Sequence, residues 1–106
     1  MQNWTGIGNL ANEPQMIEVG NNKQLCKMVI AINETYTKAD GTRPVDYFTL
    51  IAWGNVAERC SKYLHKGDKV AVMGALQNRQ YETSEGEKRY QTEIVVHEVE
   101  FLQKKA

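Results

Sequence analysis

Four aromatic side chains fall where a buried core has least use for them. Tyr36 ends one strand-like run, Tyr47 and Trp53 bracket a second, and Tyr81 ends a third. Side chains alternate along a strand, so Tyr47, Thr49, Ile51 and Trp53 share one face. Phe48, Leu50 and Ala52 lie on the other face and make the better core. The alternative for Tyr47 and Trp53 is packing inside, and the apolar content of the opposite face argues against it. Exposed rings beside cations suit one kind of ligand: flat bases stack on the rings and phosphates meet Lys and Arg. Tyr81 shares a polar face with Gln77 and Arg79 near a hairpin tip, and Tyr36 stands at the mouth of a loop, residues 36–44. Lys66 and Arg79 are the leading phosphate contacts, followed by Lys38, Arg43, Lys62 and Lys69. Any one of these cations taken alone reads more readily as a solvated surface charge, and the group carries the reading. Tyr63, on the apolar side of a helix, reads as core. Tyr90 reads as a cross-strand partner of Tyr81.

Other chemistries fail on particular residues. Cys26 and Cys60 form no CxxC pair and read as two reduced, mostly buried thiols. His65 and His97 have no cysteine or carboxylate at ligand spacing, so no metal and no cofactor is expected. The sequence has no GK[ST] phosphate loop, GxSxG elbow or HExxH pair. Cys60, Ser61 and His65 are close in sequence, but Cys60 and Ser61 project from different helix faces and no acid is placed to orient His65. A nucleophile needs an oriented base, so no enzyme is expected.

The elements that must position the rings follow from the punctuation of the chain. Residues 4–10 form a short strand, and Asn12, Glu13 and Pro14 a turn, with residues 15–19 a short continuation strand. Gly20, Asn21 and Asn22 turn the chain. Residues 25–33 are a dense strand with Met28, Ile30 and Ile32 on one face and Lys27, Val29 and Ala31 on the other. Residues 46–53 form the next strand, which Gly54 breaks. Asn55 is the expected helix N-cap, with Glu58 three residues on. Val56, Ala57, Cys60, Tyr63 and Leu64 have helical spacing, and Gly67 is the expected stop. Two long strands, 69–81 and 89–102, form a hairpin across residues 84–87. The fold class is therefore all-β: about five strands with one short α-helix between the third and fourth, the pattern of the OB-fold, a five-stranded Greek-key barrel.

At 106 residues the chain is one domain, residues 1–106. Lys plus Arg and Asp plus Glu number 13 each, which counts against a generic polyanion binder without excluding one, since the distribution of charge matters more than its sum. The charge is unevenly spread. Glu82, Glu85, Glu87, Glu93, Glu98 and Glu100 crowd the last quarter, and most cations precede them. There is no leader-like start and no apolar run of about 20 residues, so a cytoplasmic protein is expected.

Six pieces in order then carry a family resemblance: Gly8-Asn9-Leu10 with Glu13-Pro14, residues 25–36 ending Asn33-Glu34-Thr35-Tyr36, YFTLIAWGNVAE at 47–58, YLHKGDK at 63–69, VMGALQNRQY at 72–81 and GEKRYQTEIVV at 86–96. Over nearly its whole length the chain resembles the bacterial single-stranded DNA-binding protein family. That resemblance implies an OB-fold, a homotetramer, and single-stranded DNA bound without sequence choice in replication, recombination and repair. It places base-stacking rings at Tyr36, Tyr47, Trp53 and Tyr81. It also implies a subunit interface at the first strand, here Asn3, Trp4, Thr5 and Ile7, with packing or DNA contact as other roles for Trp4. Relatives continue into a linker and an acidic tip that recruits protein partners. This sequence stops at Lys104-Lys105-Ala106 without the acidic tip, by truncation or as a natural short form, which puts tail-mediated partners in doubt. Two rival readings share these features: a tail-less dimeric adaptor of replication restart, and an RNA-binding OB or cold-shock-like domain.

Overall fold

The computed structural model describes residues 3–103. They form six strands and one helix: β1 (Trp4–Leu10), β2 (Gln15–Val19), β3 (Lys23–Asn33), β4 (Val45–Trp53), α1 (Gly54–Tyr63), β5 (Lys69–Glu82) and β6 (Lys88–Gln103). The first two strands are one strand interrupted. Leu10 lies opposite Ile30 and Gln15 opposite Lys27 on the same partner, β3. Across the gap the Ala11 amide donates to the Val29 carbonyl at 2.8 Å. The Asn12 side-chain oxygen accepts from the Val29 amide at 3.1 Å, so a side chain replaces the missing rung. With β1 and β2 taken together, the helix follows the third strand, as the sequence pattern predicts.

Hydrogen bonding runs β1–β5–β6–β4–β3 and returns from β3 to β1. The ring is closed, all antiparallel except the short β4–β6 contact. Closure leaves one side-chain parity inside. Cys26, Met28 and Ile30 of β3, Leu50 and Ala52 of β4, and Val70 and Val72 of β5 are all almost fully buried. Each large apolar side chain removed from water in this way contributes about 1.5–3 kcal/mol. Ala57 and Cys60 of α1, with Leu64 just after it, join the same cluster.

The helix ends differ from expectation. Strand β4 runs straight into α1: Trp53 is the N-cap, with φ −120° and ψ 157°, and no side chain caps it. Gly54 makes the turn at φ +60°, a conformation open to glycine, so Asn55 is already inside the first turn and cannot cap. The helix stops at Tyr63 rather than at Gly67. Gly67, at φ +94°, instead lets the following turn donate its amide to the Leu10 carbonyl at 2.8 Å. Tyr63 is 45% exposed and not core. Its ring centroid stands 6.5 Å from Phe101, on the surface between α1 and β6.

Gly8 sits where β1 leaves β5 for β3. A Cβ there would lie 2.3 Å from the Ala31 carbonyl oxygen, which is backbone and cannot step aside. Gly8→Ala should therefore cost about 1–3 kcal/mol, the range for overpacking a tight contact. Chemical denaturation measures it, and an unchanged midpoint would contradict the closure described.

Candidate nucleic-acid interface

The outer parity of the ring carries the candidate rings. Register fixes the rungs. Ile17, Leu25 and Trp53 face one another across β2, β3 and β4. Lys27, Ile51, Val95 and Ala75 form the next rung across β3, β4, β6 and β5. Val29, Thr49, Glu93 and Gln77 form a third. Rungs on one face are about 7 Å apart, two residues of rise. Ile17, Leu25 and Trp53 of the first rung, Lys27, Ile51 and Val95 of the second, and Gln77 and Glu93 of the third line an open groove of about 360 Å³, together with Val19 and Arg79. Its floor is apolar: Ile51 is only 8% exposed although it belongs to the outer parity.

Trp53 is 42% exposed and lines the groove where β4 becomes α1. Tyr47 is 64% exposed on the same face, opposite Ala31. Six residues separate it from Trp53, about 20 Å along a straight strand, so each ring is a separate platform. Arg79 and Tyr81 follow Gln77 along the outer parity of β5. The Arg79 guanidinium stands 5.9 Å from the Tyr81 ring centroid. Tyr36 is exposed in the β3–β4 connection, which also holds Lys38 and Arg43. Glu34 donates its amide to the Pro44 carbonyl, and Lys38 donates its own to Thr42, so the loop is closed at its neck and near its tip. At the neck, the Asp46 carboxylate beside Glu34 raises the Glu34 carboxyl above its ordinary value.

The cations do not form one group. Arg79 lies near the free end of the β5–β6 hairpin, while Lys69 starts β5, pairing with Asn9 and Gln103. Ten residues of strand separate the two, about 33 Å. Lys62 stands over its neighbour Tyr63 at 5.3 Å, at the end of α1. Lys66 lies in the turn after α1. Two other expectations fail. Tyr90 pairs with Gln80, and Tyr81 pairs with Arg89, so Tyr90 takes the opposite face from Tyr81 and cannot stack on it. An acid does orient His65: the Glu13 carboxylate is 3.1 Å from its Nδ1. Glu13 lies 52 positions away in sequence and reaches His65 only through the fold. The supposed partner Cys60 is fully buried on the core side, where burial pushes its thiol up to about 12. The Ser61 hydroxyl donates to the Glu58 carbonyl. Among the described residues no three His, Cys, Asp or Glu side chains are grouped to hold a metal ion. No helix among them is long and apolar enough to cross a membrane.

Lys27, Gln77 and Glu93 are groove residues that the ring pattern alone misses. Lys27 had a signal, since it falls on the outer parity of β3. Glu93 had none, because only the register of β6 against β4 and β5 brings it in. In sequence the acids follow the cations; in the hairpin they interleave. Arg79 Nε lies 3.5 Å from Glu93 Oε2, and Arg89 lies 2.6 Å from Glu87. Trp4 faces inward, its ring 5.3 Å from Phe48, whereas Asn3, Thr5 and Ile7 are exposed.

Glu13 also anchors the turn that carries Lys66. Its Oε2 accepts the Lys66 amide at 2.6 Å, and that bond, then His65, holds its carboxyl below the ordinary value of 4.5. A depressed carboxyl stabilises the fold above its unfolded value, and the gain is lost as pH falls through the folded value. Glu13→Gln should therefore lower the melting temperature at pH 7, and the gap should narrow as the pH falls from 4.5 through the lowered folded value. A gap that is the same size at acid pH as at pH 7 would contradict this anchoring.

Residues 1–102 match the Single-strand binding protein family. Single-stranded DNA-binding protein 1 of Staphylococcus aureus (strain MSSA476) is 35% identical over 99 residues, covering 93% of this chain and 64% of that protein. Single-stranded DNA-binding proteins of Caldanaerobacter subterraneus and Clostridium tetani are each 34% identical, covering 94% and 92% of this chain and 67% of their own lengths. The chain thus spans about two thirds of the length of these relatives. On the match of residues 1–102, the chain belongs to the single-strand binding protein family.

Proposed function

We propose that this protein binds single-stranded DNA without sequence choice, laying the strand over the outer face of the ring. One observation carries the reading: an apolar groove on the solvent side of the sheet, edged by Trp53 and lined by Lys27 and Arg79. Tyr47, Tyr81 and Tyr36, all exposed, extend the track beyond it. Each ring offers a π-face that any base can use, at about 1–3 kcal/mol per base. Lys38 and Arg43 share the β3–β4 connection with Tyr36, and Lys62, Lys66 and Lys69 serve phosphates on the α1 side. The protein would shield exposed strands in replication, recombination and repair. It acts in the cytoplasm, with no catalytic step, cofactor or metal of its own.

The working unit in this reading is a homotetramer. Strand β1 supports it: over Trp4–Gly8 only β5 pairs with it among the described residues, so its other edge is open. Asn3, Thr5 and Ile7 present exposed side chains there, and an unpaired edge invites another copy. Trp4 serves this edge indirectly, by packing under it against Phe48.

Trp53 and Trp4 are the two tryptophans, so the stacking step can be read by fluorescence. Titration with oligo(dT) should quench the emission, and the apparent affinity should fall as salt rises, because each phosphate contact releases counterions. Trp53→Ala should weaken binding about 5- to 150-fold, the equivalent of the stacking energy above. Full affinity in that variant, or no binding of oligo(dT) by the parent protein at low salt, would overturn the reading.

A further inference from the structure

A carboxylate sits in the groove that is meant to receive a polyanion. Glu93 belongs to the rung Val29–Thr49–Glu93–Gln77, and its side chain is only 12% exposed. Its Oε2 lies 3.5 Å from Arg79 Nε. Arg79 Nη2 donates to Gln91 Oε1 at 3.3 Å, and the Tyr81 ring stands at 5.9 Å. Arg79 is thus held on three sides, while its own side chain remains 55% exposed. The charged groups lining the groove are Lys27, Arg79 and Glu93, so Glu93 offsets one of two cations. A phosphate that reaches Arg79 must approach this anion, which cannot retreat far from a nearly enclosed position.

We infer that Glu93 is a positioning residue that holds Arg79 in line along the groove and competes with DNA phosphate for its charge. This rests on the groove being the DNA site. In the free protein Glu93 satisfies Arg79. In the complex the phosphate takes the exposed edge of the guanidinium, and Glu93 opposes it from below. The pair therefore sets how firmly this segment of the track grips, and it favours a strand that can be released and moved on. The same geometry explains why Arg79 faces along the sheet instead of extending freely into solvent.

The test is the salt dependence of oligo(dT) affinity for Glu93→Gln, which keeps the shape and removes the charge. Single strands lose affinity with a log–log slope of about −0.7 per phosphate contact. Full release of Arg79 should steepen the slope by up to about 0.7 and tighten binding at low salt, an advantage that shrinks by up to about threefold between about 50 and about 200 mM salt. Glu93→Asp withdraws the carboxylate by one methylene. It should shift the slope in the same direction by less, and it keeps the test open if the amide variant folds poorly. In an Arg79→Gln background, Glu93→Gln should leave the slope unchanged, because there is no guanidinium to release. A parent protein that binds oligo(dT) while Glu93→Gln shows an unchanged slope, or weaker binding, overturns the inference alone. A steeper slope that persists without Arg79 overturns it too, since the effect would then be general charge. A parent protein that fails to bind overturns the DNA reading itself.

Discussion

Ring closure is the constraint on which everything else depends. A sheet that returns to its first strand has an inside too narrow for anything but its own side chains. Alternation then commits every second residue of each strand to that interior and leaves the rest to solvent or ligand. Leu50 and Ala52 are fully buried, so Tyr47 and Trp53 on the same strand are turned outward. The exposed rings are a consequence of how the core is filled. The close approaches at Gly8 and Gly74, where a Cβ would lie 2.3 Å and 2.1 Å from a facing carbonyl oxygen, show how tightly the neighbouring strands are drawn together.

The outer face is a groove and not a plain surface. The interrupted first strand adds β2 beyond β3, and Ile17 and Val19 then line the same groove as Trp53 and Arg79. An apolar floor with a few cations suits a ligand that alternates flat bases and charged linkages. The net charge of zero is no obstacle, because local placement decides what a phosphate meets. Glu93 shows the other side of that placement: one anion in the groove alters what two cations there can do.

Period-two alternation made much of this legible in the sequence. It separated the Met28 and Ile30 face of β3 from the Lys27 and Val29 face, and it turned Tyr47 and Trp53 of β4 outward; Met28 and Ile30 are buried and both rings are exposed. Glycine and asparagine marked the turn at residues 20–22, where Asn21 and Asn22 both take positive φ. What stayed hidden depends on register. Nothing local tells that Tyr81 faces Arg89 instead of Tyr90, or that Glu93 meets Arg79. The contact of Glu13 with His65 and Lys66 likewise needs the fold to bring distant residues together. The helix start was misread because the strand enters the helix with no connecting residues, so a capping pattern at Asn55 had nothing to cap. Tyr63 was misread because a residue on the edge of a helix's apolar stripe can rest on a surface neighbour, here Phe101.

Which face meets the strand can be read from amide and indole shifts in a heteronuclear NMR titration with a short oligo(dT). The largest shifts should fall on the Trp53 indole and on the amides of Lys27, Ile51, Gln77 and Arg79, with buried β5 residues such as Val70 unmoved. Shifts confined to β1 or to the Tyr63–Phe101 surface, with the groove silent, would contradict the groove as the DNA site.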